Sequence, residues 1–182
     1  MTRKQRRRIW SLGPILLLCS MLAACQPAAS EGAYERGMEA FRLADYDTAM
    51  KEFQTAANEE GRKAEAYRGE GMIYLARKDY PHAITLFDLS LENLDVKNDE
   101  FREDVLFYKA EAYVGARQLA NAKEIYQSLT EGKNPSLALY FLGVLSLEEN
   151  DTDGAETYFQ TAIETENSYD LCILIYEAYA DR

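Results

Sequence analysis

Residues 37–56 read GMEAFRLADYDTAMKEFQTA, and the pattern returns as GMIYLARKDYPHAITLFDLS at 71–90, AEAYVGARQLANAKEIYQSL at 110–129 and GVLSLEENDTDGAETYFQTA at 143–162. Each copy opens on a small residue and has an alanine twelve positions later, an aromatic four beyond that, and a closing residue three further on. The four sets are Gly37, Ala49, Phe53, Ala56; Gly71, Ala83, Phe87, Ser90; Ala110, Ala122, Tyr126, Leu129; and Gly143, Ala155, Phe159, Ala162. Alanine-to-alanine intervals are 34, 39 and 33 residues. A period of this length marks stacked supersecondary units, each too small to bury its apolar face alone. Small residues in the first two positions let paired helices approach closely, and the aromatics fill the wedge between one pair and the next. Asp45, Asp79 and Asp151 stand where second helices would begin, as capping acids.

This pattern resembles the tetratricopeptide repeat, a helix–turn–helix unit, over nearly all of the chain after its leader. The resemblance implies an all-α, right-handed α-solenoid of four units at 31–63, 64–97, 98–135 and 136–167, closed by a helix at 168–182. Two departures carry expectations. Leu129 replaces a small residue, which predicts shifted packing after the third unit. The long second interval, around Asn93 to Glu100, predicts a longer loop or helix end. Pro135 is placed to open the first helix of the fourth unit.

Ahead of the repeats stands a leader. Arg3, Lys4, Arg6, Arg7 and Arg8 precede an apolar stretch too short to span a bilayer, the pattern of a signal peptide over residues 1–24. It ends in Leu22-Ala23-Ala24-Cys25, similar to the lipobox of bacterial lipoproteins. That resemblance implies cleavage before Cys25 and transfer of a diacylglyceryl group to its sulfur, so that the cysteine carries two or three palmitate-type acyl chains, enough for stable anchoring. Residues 26–30 would form a tether of at most roughly 17 Å. The expected location is the cell envelope, on the extracytoplasmic face of a bacterial membrane. Gln26 stands where an Asp resembles an inner-membrane retention signal, which favours the outer membrane if the source is Gram-negative.

The resemblance also assigns a groove lined by the first helices. Its positions carry over to Tyr34, Met38 and Phe41; Arg68, Met72 and Leu75; Phe107, Glu111 and Val114; and Tyr140, Val144 and Leu147. Family members that clamp a carboxylate use Lys, Arg and Asn here. This chain has Arg68, with Arg42 nearby, and no Lys or Asn, so the clamp is incomplete. An apolar groove with acidic surroundings suits an apolar or basic protein segment. In the last helix, Leu171, Ile173, Leu174, Ile175 and Tyr176 make an apolar run on every side. That run fits a helix pressed into the last repeat with its outer face tolerated, an interface with a partner or a second copy, or a sequence cut short before a further repeat.

The 182 residues carry 20 basic and 31 acidic side chains, a net charge of −11, which argues against nucleic acid as a partner. His82 is the only histidine, so a His-based triad or multi-histidine zinc site is excluded. No Gly-rich phosphate loop occurs, and no metal or cofactor is expected. Cys172 reads as a small core residue. The expected function is a membrane-anchored adaptor rather than an enzyme. The alternatives are a structural part of an envelope machine, such as one for outer-membrane protein insertion or pilus or secretin assembly, and a solute receptor or enzyme requiring a polar pocket.

Overall fold

The computed structural model describes residues 32–59, 61–94 and 98–180. The leader, Cys25 and the tether lie outside them, and the signal-peptide and lipidation readings with them. The described residues form α1 (Ala33–Arg42), α2 (Tyr46–Ala56), α3 (Lys63–Ala76), α4 (Tyr80–Glu92), α5 (Asp99–Gly115), α6 (Leu119–Leu129), α7 (Pro135–Glu148), α8 (Thr152–Thr165) and α9 (Tyr169–Ala180), with no strand among them. Helices pair as α1–α2, α3–α4, α5–α6 and α7–α8, each pair packing on the next, and α9 packs on α7 and α8.

The repeat residues do the packing that their spacing implies. Phe53 is fully buried, held between Gly37 of its own pair and Gly69 of the next. A methyl group on either glycine would come within 2.7 and 2.6 Å of the ring. Phe87 meets Gly71 and Phe159 meets Gly143 in the same way, at 2.6 and 2.4 Å. Ser90, read from sequence as merely small, is fully buried and donates its hydroxyl to the Ala64 carbonyl at 2.7 Å. That bond ties α4 to the start of α3.

The turn inside each pair follows one scheme. Ala44, Lys78, Arg117 and Asn150 all adopt left-handed backbone, with φ of 57°, 61°, 62° and 62°. The next residue's N–H reaches back to the carbonyls of Ala40, Tyr74, Tyr113 and Ser146, closing the Schellman motif that ends a helix. Asp45 and Asp151 then cap the following helix, accepting from Thr48 N–H and Gly154 N–H. Asp79 does not cap, contrary to expectation. Pro81 removes one of the backbone donors a cap would use, and the carboxylate engages the His82 ring at 2.8 Å instead.

The irregular third unit behaves as its departures suggest. α5 has 17 residues, against 14 in α3 and α7, so part of the extra sequence extends its N-terminus by about one turn. Pro135 opens α7. Leu129, bulkier than Ala56, Ser90 and Ala162 at the same site, lies in a cluster with Ala138 and Leu142 of α7. The first helices α1 and α3, α3 and α5, and α7 and α9 approach one another closely, whereas no Cα of α5 comes within 8 Å of α7.

Candidate functional site

Where α5 and α7 stand apart, a hollow of about 680 Å³ opens on the face lined by the first helices. Its walls are Arg68 of α3; Phe101, Asp104, Phe107, Tyr108 and Glu111 of α5; Tyr126 of α6; and Leu137 and Phe141 of α7, with Asn98, Glu100 and Asn134 at the helix starts. Its aromatic floor is ordered. Tyr126 and Phe141 stack with centroids 4.9 Å apart and planes at 11°, and Phe107 lies 6.1 Å from each.

Arg68 occupies one end. Its Nη2 donates to the Tyr34 hydroxyl and its Nη1 to the Asp104 carboxylate, while the guanidinium carbon lies 4.6 Å from the Phe101 ring centroid. One side chain therefore joins α1, α3 and α5. Its Nε is buried without a hydrogen-bond partner. Arg42, the other groove arginine considered, pairs with Glu39 on its own helix at the surface. The Arg68 guanidinium is thus committed within the chain, and Arg42 stands at the surface, outside the hollow.

Glu111 occupies the other end. Desolvation holds its carboxyl above the usual range, and no ion pair offsets this among the described residues. Burial likewise pushes the Tyr126 phenol up, with Glu111 adding to it. Desolvation also raises the Tyr108 phenol, and the Asp104 charge reinforces it.

The sequence-predicted groove residues separate into three groups. Arg68, Phe107 and Glu111 share the hollow, and Tyr34 reaches it through Arg68. Tyr140 and Val144, with Leu147, line a smaller hollow of about 480 Å³ against Glu177 and Ala178 of α9. Met72 is instead core, 8% exposed among Ala83, Phe87, Val105 and Ala112; α5 covers it, so it is not a groove residue. Met38, Phe41 and Leu75 pack half-buried on the same cluster, and Val114 on the cluster around Tyr126. Phe101, Asp104, Tyr108 and Phe141 were missed. Phe101 lies on the extra turn of α5, and the signal for the first three was their helical spacing with Glu111 along that helix, at 101, 104, 108 and 111.

On α9, Leu171 and Ile175 are buried, one turn apart, against α7 and α8. Ile173, Leu174 and Tyr176 are exposed, with Tyr169 and Tyr179 beside them. Cys172 is exposed as well, not a core residue; the helical period that buries 171 and 175 turns 172 outward. No group of three or more His, Cys, Asp or Glu among the described residues could hold a metal ion.

The tetratricopeptide repeat family model matches residues 34–95 and 108–170. The chain belongs to that family, whose repeats are protein–protein interaction scaffolds. Among solved structures it is similar to MamA, with a TM-score of 0.63 over 82% of this chain and 84% of that one, at 19% identity. At that identity the likeness concerns the fold. A search of curated proteins finds no match.

Proposed function

We propose that the protein is a lipid-anchored adaptor that holds a partner protein close to a bacterial membrane, on its extracytoplasmic face. The observation that carries the reading is the hollow between α5 and α7, an ordered aromatic floor left open in an otherwise close-packed array. A concave site lined by aromatic side chains with a few convergent polar groups is the usual form of a binding site. The tether and anchor rest on Leu22-Ala23-Ala24-Cys25, and Cys25 is the acylated residue in this reading.

In-cell crosslinking with mass spectrometry tests both halves, comparing wild type with a Phe107→Ala/Tyr140→Ala variant and with Cys25→Ser. The expected result is a defined neighbour lost in the first variant, and release from the membrane fraction in the second. A neighbour indifferent to the groove variant, or a Cys25→Ser protein still bound to membrane, would overturn the corresponding half. The exposed stripe of Tyr169, Ile173, Leu174 and Tyr176 favours a second reading, a structural element of an envelope assembly that docks or self-associates through α9. Crosslinks confined to α9, in a complex of fixed stoichiometry, would establish that one in its place.

A further inference from the structure

Resting on the adaptor reading, we infer that the hollow selects a lysine or arginine side chain of the partner segment, seated on Phe107 and Phe141 with its charge against Glu111. The chain displays this recognition chemistry at the other end of the same hollow. There the Arg68 guanidinium lies over the Phe101 ring and bonds the Asp104 carboxylate. A cation over an aromatic face beside a carboxylate gains from both, the more so where water is thinned out.

Glu111 lines the same hollow as the Phe107 and Phe141 rings, so a carboxylate and two rings are again present, and no ion pair engages Glu111 among the described residues. A carboxylate on a partner would instead face Asp104 and Glu111 with Arg68 already bonded on both sides. A fully apolar side chain would desolvate Glu111 further with nothing in exchange. Only a basic side chain satisfies every wall, its methylene stem lying along the rings and its head at the carboxylate. The open run of the hollow between α5 and α7 leaves room for the flanking residues of a linear segment.

The test is selection of random linear peptides displayed on phage against the full-length protein in detergent micelles, followed by fluorescence anisotropy on the selected peptides. The inference expects a basic residue at one fixed register flanked by apolar ones. Affinity should fall about tenfold or more on Glu111→Gln or on replacing that residue with norleucine. Glu111→Lys should shift selection toward acidic peptides. Circular dichroism on the variants reports that the helical array is retained. Peptides lost on Phe107→Ala yet indifferent to Glu111→Gln and to norleucine would overturn this inference and leave the adaptor reading standing. If no selected peptide depends on Phe107, both fall together.

Discussion

Replacing Gly37 with alanine should destabilise the protein, although alanine is the better helix former by about 1 kcal/mol. The reason is the Phe53 ring, fully buried and in contact with two glycines from successive repeats. A Cβ at position 37 would lie 2.7 Å from two ring carbons, closer than side-chain carbons come in folded proteins. Overpacking of this kind costs about 1–3 kcal/mol, so after the helix gain the net loss is about 0–2 kcal/mol. The ring has no free side to retreat to, because Gly69 of the next pair also lies against it, so close that a Cβ there would come within 2.6 Å. In a Phe53→Leu background the clash disappears and the helix preference of alanine should re-emerge, making Gly37→Ala neutral to favourable. The double-mutant cycle should therefore give a coupling of about 2 kcal/mol. Urea unfolding followed by far-ultraviolet circular dichroism measures all four corners of the cycle. A wild-type background stabilised by Gly37→Ala, or a penalty unchanged with leucine at 53, would refute the account of the wedge.

Three further outcomes follow from the same structure. Ala44 holds a left-handed backbone at φ 57°, so Ala44→Gly should stabilise by about 1 kcal/mol in the same assay, and Asn150→Gly by less, since asparagine tolerates that region. Ser90→Ala should cost about 1 kcal/mol by orphaning the buried Ala64 carbonyl; an unchanged midpoint would mean that a smaller side chain is all the site requires. Glu111 has a folded-state value raised above its ordinary 4.5 by desolvation, so the fold prefers its neutral form. The stability this confers is lost as pH rises through and above that value, leaving the charged group a slight cost at neutral pH. Glu111→Gln should therefore raise the urea midpoint at neutral pH and leave it unchanged below the ordinary value. A lower midpoint at neutral pH would contradict this assignment.

The fold was legible because its determinants are local and repeated. Gly37, Ala49 and Phe53, with their counterparts, are spaced by the geometry of one helix pair, and the same geometry recurs wherever that spacing does. The candidate site was legible only in part. Phe107 and Glu111 were found by their register in the repeat, while Met72, at an equally valid register, is core because α5 covers it. Phe101 lies on a turn that the repeat pattern does not contain, Asp104 lies within the regular repeat, and what both contribute depends on Arg68, which reaches Asp104 from 36 residues away in the chain. No periodicity encodes a pairing of that kind. The capping role expected of Asp79 fails for a smaller reason: Pro81, two residues on, lacks a backbone donor that a cap would use.

The seam between α5 and α7 has a mechanical consequence. Helices stacked side by side resist bending wherever neighbours grip each other, and on one side of the seam Arg68 laces α1, α3 and α5 together through Tyr34 and Asp104. On the other side α7 and α9 are in close approach. Across the seam the first helices share no close backbone approach. The link runs through α6, whose Leu129 packs with Ala138 and Leu142, through the rings of Phe107, Tyr126 and Phe141, and through Lys133 beside Glu100 and Glu103. The first helices of the array are therefore furthest from close packing at this one joint. A segment lodged there works as a splint, setting the curvature of the whole solenoid and with it the direction in which the exposed rings of α9 face.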